Sequence, residues 1–423
     1  MRSRNGAPPE RFEIRIEKVV YGGWGLGRHQ GKVVIVPFSV PGDYLKVRVI
    51  ENKKSFLRAV MVEVIEPGPG RVPPPCPHFG VCGGCQWQSL EYPRQVEAKR
   101  QLLEQMFGHS FPETRRLPIE MMASPQAYGY RSRARIQIRG LGPNAQAGFF
   151  RFQSHLVEDV KTCPLFRPAL NDALASVRLS LVRSALNPGI RQLALACSTG
   201  SGAWGIADMA SDLDEGISAM DGAAEESDET VLEKRVGEFT YSTAPEVFFQ
   251  ANDFMVEELL DTVRRLAARA GNSAALDLFC GVGFFTLALG RQFREVQAVE
   301  FSPRAWRLCS LNARNAGLEN VHVACAGVGK WVEAIGSVAS PAYDLILLDP
   351  PRSGAGLKVM EKIREWAPET VIYVSCDPQT LLRDLEVLVA RDYAIDFIRG
   401  LDLFPQSFHF ETVVRLKRLP IGI

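Results

Sequence analysis

The sequence predicts an α/β protein in three parts. A small β-barrel comes first, an α+β middle carries a cysteine constellation, and a doubly wound, mostly parallel sheet closes the chain. Three observations carry this expectation. Residues 12–66 fall into short runs of alternating polarity separated by glycine and proline turns. Cys76, Cys82 and Cys85 lie within ten residues of one another. From residue 274 apolar runs alternate with helix-like stretches, and several of those runs stop abruptly on Gly or Pro. The expected parts are 10–68, 69–250 and 251–423.

The composition is that of an ordinary globular chain. With 423 residues, 46% apolar and 23% charged, it can bury more than one core. No apolar stretch approaches membrane-spanning length, and Met1-Arg2-Ser3-Arg4-Asn5 opens no apolar signal core. A cytoplasmic monomer without membrane contact is expected. The net charge of +1 does not exclude a polyanionic partner, because basic faces can be balanced by acid elsewhere. Residues 208–230 supply such acid (Asp212, Asp214, Glu215, Asp221, Glu225, Glu226, Asp228, Glu229) and read as a flexible excursion. Nine cysteines in a reducing compartment point to chemistry or metal ligation rather than disulfides.

In the first part, Phe12, Ile14 and Ile16 alternate with charged residues, Val33 to Val36 follow a glycine turn, and Leu45, Val47 and Val49 alternate again. About five short strands in so short a span suit a closed barrel of the oligonucleotide-binding type. Arg28, Lys32, Lys46, Arg48, Lys53, Lys54 and Arg58 make it basic, and Trp24 and Phe56 are candidates for base stacking. The pattern resembles the TRAM domain attached to RNA-modifying enzymes. An RNA partner follows from that resemblance.

Pro73-Pro74-Pro75 ends the barrel and opens the cysteine stretch. Cys82-Gly83-Gly84-Cys85 lets the backbone fold tightly and turns unhindered N–H groups toward sulfur. Cys163, followed by Pro164, is the candidate fourth ligand beside Cys76, Cys82 and Cys85. Four thiolates fit a 4Fe-4S cluster or structural zinc, and the spacing does not separate them. Farther on, Val96, Leu102, Leu103 and Met106 predict an amphipathic helix over 93–107. Arg131, Arg133, Arg135 and Arg139 would share one face of a strand, with Tyr128 and Tyr130 nearby, as a phosphate-tracking surface.

In the last part a helix is expected over roughly 253–269, and Asn252 can cap it. Gln250, just outside, has an amide that can donate and accept toward a ligand. Three apolar runs then end at one rim. The first, Ala275 to Cys280, stops at Gly281-Val282-Gly283; the second, Tyr343 to Leu348, at Asp349-Pro350-Pro351-Arg352; the third, Tyr373-Val374-Ser375-Cys376, at Asp377-Pro378. In a parallel sheet those stops share the carboxyl edge, where open α/β sheets bind ligands. Cys376 there is the candidate nucleophile. Glu300, at the end of the following strand, can accept hydrogen bonds from ribose hydroxyls. The Gly281 turn lacks the full pyrophosphate fingerprint, so an adenosine ligand without phosphates, S-adenosylmethionine, fits better.

Five stretches together resemble the RNA uracil-5-methyltransferases. They are Phe249-Gln250-Ala251-Asn252, Asp277 to Gly283, Asp349 to Arg352, Ser375 to Pro378, and Phe404 to Thr412 with His409 and Glu411. The resemblance spans nearly the whole chain. It implies a Rossmann-like methyltransferase domain, with Cys376 as nucleophile, Glu411 as base, and Gln250, Phe279, Gly281, Glu300 and Asp349 around S-adenosylmethionine. The cysteine quartet resembles the branch whose middle α+β domain holds a 4Fe-4S cluster and which modifies 23S ribosomal RNA. Two positions depart from the pattern. Phe284 replaces an asparagine found in some members, and the run Val321 to Gly327 ends without a polar residue to face adenine.

The chemistry explains the residue types. A thiolate adding to uracil C6 makes C5 nucleophilic toward a methyl sulfonium, and a base must then remove the C5 proton so that sulfur can leave. Glu411 among Phe404, Phe408 and Phe410 is expected to have raised proton affinity. Rival readings are a tRNA uracil target, RNA cytosine-5 methylation, and an RNA-binding scaffold without catalysis. Asp349-Pro350-Pro351, where cytosine enzymes carry Pro-Cys, disfavours the second; intact Cys376 and Glu411 disfavour the third. Cys197, Cys280, Cys309 and Cys325 are expected to be packed core thiols.

Overall fold

The structure, a computed structural model, describes residues 10–183, 189–200, 203–209, 231–335 and 342–420. The acidic stretch expected as an excursion lies almost entirely outside the described residues.

Arg11–Val20 (β1), Trp24–His29 (β2), Lys32–Pro37 (β3), Tyr44–Asn52 (β4) and Phe56–Glu66 (β5) close into a barrel in the order β1-β2-β3-β5-β4. Alternation along each strand sends Ile14, Ile16, Val34, Val36, Leu45, Val47, Leu57 and Ala59 into one interior cluster. Trp24 is not a free stacking platform. Its ring packs on Phe152 at 5.7 Å between centroids, and the Arg58 guanidinium lies 5.3 Å from it. Phe38 likewise meets Phe79 at 5.3 Å and Phe152 at 4.8 Å. These aromatics seat the barrel on the cysteine stretch, because burying ring area there gains more than exposing it.

Tyr92–Ser110 (α1) contains the helix expected at 93–107. It is followed by Glu120–Met122 (β6), Arg133–Arg139 (β7), Gln146–Phe150 (β8) and Val157–Asp159 (β9). Pro168–Val182 (α2), Gln192–Cys197 (β10) and Trp204–Asp208 (β11) complete the middle, whose sheet runs β11-β10-β7-β8-β9. Ala134, Ile136 and Ile138 turn one face of that sheet onto Leu170, Leu174 and Val177 of α2. The arginines do not form the continuous face expected. Arg135 and Arg139 are exposed, but Arg133 is only 9% exposed. Its Nη2 donates to the carbonyls of Ala244 (2.9 Å), Pro245 (2.8 Å) and Val247. A guanidinium can be buried there because carbonyls replace its water.

A hairpin, Leu232–Val236 (β12) with Phe239–Thr243 (β13), packs onto the last part of the chain. That part comprises Val256–Ala267 (α3), Ala274–Leu278 (β14), Thr286–Gly290 (α4), Glu295–Glu300 (β15), Pro303–Asn315 (α5), Val321–Cys325 (β16) and Val328–Ile335 (α6). Leu345–Leu348 (β17), Leu357–Trp366 (α7), Thr370–Ser375 (β18), Pro378–Val389 (α8), Tyr393–Leu401 (β19) and Glu411–Arg418 (β20) follow. The eight-stranded sheet runs β16-β15-β14-β17-β18-β20-β19-β6, with β14 to β18 parallel to one another and β20 antiparallel to both of its neighbours, β18 and β19. Period-two alternation splits its side chains between two cores. Ala275, Leu345, Leu347, Ile372 and Val374 face one. Leu276, Leu278, Ile346, Leu348, Val371 and Tyr373 face the other, which Leu103 and Phe107 of α1 also cover. Burial on both faces explains why these strands read as unbroken apolar runs. Thus β6, α1 and the β12–β13 hairpin, all before residue 251, build onto the last domain.

Candidate active site

Proline and capping chemistry place Cys376. Pro378 stops β18 and opens α8, while Asp377 caps that helix, its Oδ1 accepting from the Gln379 N–H (2.9 Å) and the Thr380 N–H (3.3 Å). Ser375 Oγ accepts from the Asp377 N–H at 3.1 Å and donates to the Asp377 carbonyl at 3.0 Å. Cys376 is therefore held in a rigid turn at the sheet's carboxyl edge. The antiparallel β20 begins at that same edge. The last pair of the β18–β20 ladder is Ser375 with Thr412, so Cys376 and Glu411 are the next positions across. Two groups remote in sequence become neighbours.

The segment feeding Glu411 is fixed by contacts that sequence reading missed. Lys99 of α1 and Asp402 are both fully buried and joined at 2.7 Å; Lys99 Nζ also donates to the Phe404 carbonyl at 3.2 Å. Neither charge would be tolerated there alone. Gln95 and Gln406 pair twice at 2.9 Å, and the N–H groups of Gln86 and Trp87 donate to the Gln406 carbonyl at 3.1 and 3.0 Å. Gln406 has φ +71°, a backbone state uncommon for a residue with a Cβ. A signal existed: Gln95 and Lys99 occupy the apolar face of α1 with Leu102 and Leu103.

Burial sets the electrostatics. The Cys376 thiol is pushed up to about 12, first by desolvation and then by the charges of Glu411, Asp349 and Asp377; Arg352 works against them. Glu411, 3% exposed, is pushed well above the usual carboxylate range by burial and then by Asp349. Asp349 goes up to about 8 through burial and Asp277, and Asp277 to about 7 through burial, opposed by a 2.6 Å hydrogen bond from Thr286 Oγ1. His409 is pushed down to about 3 by burial and by Arg352, so it is neutral at neutral pH. Its Nε2 lies 3.4 Å from Arg352 Nη2, and its ring packs on Phe408 at 3.9 Å.

The expected ligand residues converge at the neighbouring strand ends. Glu300 Oε2 accepts from the Gly281 N–H at 3.0 Å, and Oε1 from the Ser302 N–H at 2.8 Å. Each oxygen keeps a lone pair for a further donor. Phe279 at φ +65° and Gly281 at φ +56° turn the chain sharply, and a Cβ added to Gly281 would meet nothing within 4 Å. The loop thus opens onto free space in front of Glu300. Gln250 is 4% exposed on the segment behind. Asn252 does not cap α3. Its Nδ2 donates to Ser124 Oγ (3.1 Å) and to the Leu403 carbonyl (3.2 Å), tying the Gln250 segment to the one before Glu411. Phe284 packs with Tyr241, Phe249 and Phe285, so the departure at that position is apolar packing.

Cys76, Cys82, Cys85 and Cys163 come into one neighbourhood. Cys85 is pushed up to about 12 by burial, with Cys163, Cys82 and Cys76 adding to it, and Cys163 to about 11 by burial, with Cys76 and Cys82 adding. The Gly84 N–H points at Cys82 Sγ at 3.4 Å, the contact expected of the paired glycines. The metal-centre expectation goes no further than this: among the described residues no three His, Cys, Asp or Glu side chains could hold a metal ion. Cys197, Cys280 and Cys309 are buried as expected, whereas Cys325 is exposed because β16 is the sheet's edge strand.

Comparison with known proteins agrees with this architecture. Residues 225–419 match the family described as tRNA (Uracil-5-)-methyltransferase, and residues 9–62 match the TRAM domain. An RNA methyltransferase of Thermosynechococcus vestitus is 32% identical over 96% of this chain and 97% of its own length. The 23S rRNA (uracil(1939)-C(5))-methyltransferase RlmD of Alkalilimnicola ehrlichii is 30% identical over 99% of each chain. Among solved structures, the Pyrococcus abyssi tRNA (uracil-54, C5)-methyltransferase in complex with S-adenosyl-L-homocysteine is similar in fold. Its TM-score is 0.71 at 23% identity, over 96% of this chain and 100% of that one. With that whole-length similarity added to the shared sheet edge, the chain belongs to the RNA uracil-5-methyltransferase family, as a member with an amino-terminal TRAM barrel.

Proposed function

We propose that this enzyme forms 5-methyluridine in 23S ribosomal RNA through a covalent bond between Cys376 and uracil C6. The observation that carries the reading is the facing pair Cys376 and Glu411 where β18 and β20 meet. S-adenosylmethionine supplies the methyl group as a sulfonium. Gln250, Phe279, Gly281, Glu300 and Asp349 would hold it, and the open space before Gly281 suits an uncharged adenosine. Cys376 gives its thiol proton to solvent and adds to C6 as the thiolate; electron density moves to C5, which takes the methyl group as the S–CH3 bond breaks and S-adenosyl-L-homocysteine leaves. Glu411 in its ionised form, made a stronger base by its burial, then accepts the C5 proton and the thiolate departs. Asp349, whose proton affinity burial raises, can hydrogen-bond the substrate or S-adenosylmethionine from the neighbouring strand end. The target base must leave its stack to reach the crevice. The basic barrel, with Arg135 and Arg139, is suited to hold the flanking backbone, and the domains act as 10–68 for RNA binding, 69–250 as support and 251–423 for catalysis.

The ribosomal target is supported by the names of the RlmD relatives, which are similar over 98–99% of this chain. Tritium from labelled S-adenosylmethionine is expected in ribosomal RNA from a strain lacking this enzyme, mapping to one or two uridines of the 23S species. Label appearing in tRNA alone would overturn the target and favour the tRNA reading. Cys76, Cys82, Cys85 and Cys163 are proposed to ligate a 4Fe-4S cluster with a structural role. Thiolates around a polynuclear cluster stand farther apart than the four bonds of about 2.3 Å allow around one zinc. Anaerobic purification should yield a brown protein with about four irons per chain; a colourless, zinc-loaded protein would refute the cluster.

A further inference from the structure

Between Thr243, the last residue of β13, and Val256, the first of α3, the chain forms neither helix nor strand, and Gln250 lies in that loop. The loop is held from outside. Ser132 and Arg133, consecutive residues where β7 begins, grip it on either side of Gln250. Arg133 takes the carbonyls of Ala244, Pro245 and Val247, and the Ser132 N–H donates to the Ala251 carbonyl at 2.9 Å.

The second grip ends on Asp253. Its side chain is 6% exposed and accepts from three separate elements. Ser132 Oγ donates to Oδ1 at 2.7 Å, Lys234 Nζ of β12 to Oδ1 at 2.7 Å, and Arg167 Nη1, just before α2, to Oδ2 at 3.1 Å. Lys234 alternates with Leu232 and Val236 on the buried face of its strand, where an ammonium needs an anion. The Arg167 backbone is tied as well, its N–H donating to the Arg131 carbonyl at 2.9 Å, and its guanidinium lies 5.4 Å from the Phe254 ring. Nor does the Asp253 carboxylate serve α3, whose start has no side-chain cap. It turns instead toward the middle part of the chain.

We propose that Asp253 is a positioning residue for the cofactor: with Ser132, Lys234 and Arg167 it latches the loop that presents Gln250 to S-adenosylmethionine. A loop without a ladder of its own holds a side chain to a fraction of an ångström only if its supports are fixed. Asn252 supplies the matching ties to Ser124 and Leu403 on the side of Glu411. The middle part thereby sets cofactor affinity. This inference rests on the reading above, in which Gln250 touches the cofactor.

Asp253→Asn would leave Lys234 and Arg167 without their anion and weaken the fold, so the test uses Ser132→Ala, which removes one neutral donor and keeps every charge. In the full chain the Kd for S-adenosyl-L-homocysteine, measured by titration calorimetry, is expected to rise roughly fivefold. The KM for S-adenosylmethionine should rise alike, while kcat at saturating cofactor and the Kd for RNA stay at their parent values. Gln250→Ala alone should weaken S-adenosyl-L-homocysteine by roughly tenfold, and adding Ser132→Ala to it should cost little more, because the group being positioned is gone. An unchanged Kd in Ser132→Ala overturns the proposal. So does a loss of equal size in both backgrounds, or a kcat and an RNA affinity that fall together with cofactor affinity, the mark of general loosening. If Gln250→Ala binds S-adenosyl-L-homocysteine as the parent does, the assignment of Gln250 fails and takes this inference with it.

Discussion

A Cys376→Ala enzyme is expected to lose methyl transfer by at least about 10⁴-fold, the scale on which removing a covalent nucleophile falls. The argument is electronic. Carbon C5 of uracil attacks a methyl sulfonium only after addition at C6 has pushed electron density onto it, and the other thiols of this sheet stand apart from Glu411: Cys280 and Cys309 are buried against each other beside the glycine turn, and Cys325 ends β16 at the sheet's far edge. The native thiol is held up at about 12 by burial and by Glu411, so the resting enzyme carries a protected sulfur. Arg352, working against them, favours the anion that the proposed addition requires. Alanine at the end of β18 disturbs little, since Ser375 and Asp377 hold the turn through their own hydrogen bonds. S-adenosylmethionine and RNA binding should survive, measured by equilibrium dialysis and filter retention, while tritium transfer disappears. Turnover within about tenfold of the parent would remove the mechanism, because general acid–base help alone does not make C5 nucleophilic.

How much of this was readable beforehand follows from where information is stored in a chain. The rim was legible because each strand is buried on both faces, and so appears as an apolar run, and because each stops on a residue that cannot continue it: Gly281, Pro350, Pro378. The barrel and α1 were legible through their periods. Contacts between distant segments were not. Nothing local announces that Lys99 meets Asp402, or that Gln406 takes N–H groups from Gln86 and Trp87. The three-residue β6 is too short to have a period and exists only because β19 offers it an edge. Arg133 shows the opposite error. Its spacing placed it with Arg135 and Arg139, yet the carbonyls of Ala244, Pro245 and Val247 claim it. Trp24 was misread for the same reason: a residue type common in stacking was already occupied by Phe152 and Arg58.

Glu411→Gln should separate the two halves of the reaction. The amide keeps the shape of the carboxylate in a pocket where Glu411 is 3% exposed, so the fold and the first bond to sulfur should be retained. What disappears is the acceptor for the C5 proton, a contribution of about 10²- to 10⁴-fold for a placed general base. The methylated, Cys376-linked RNA should therefore accumulate, visible as a denaturation-resistant complex of one RNA per chain. Removing this carboxylate has a second, opposite consequence. Its charge is the largest electrostatic influence pushing the Cys376 thiol up, so the variant thiol ionises at lower pH. The rate of adduct formation should then begin to rise at a lower pH than in the parent, even as release fails. A merely structural defect would slow both steps and shift neither profile. Free methylated RNA released at close to the parent rate would show that another group takes the proton, and Asp349, the neighbouring carboxyl that raises Glu411, would be the first to replace.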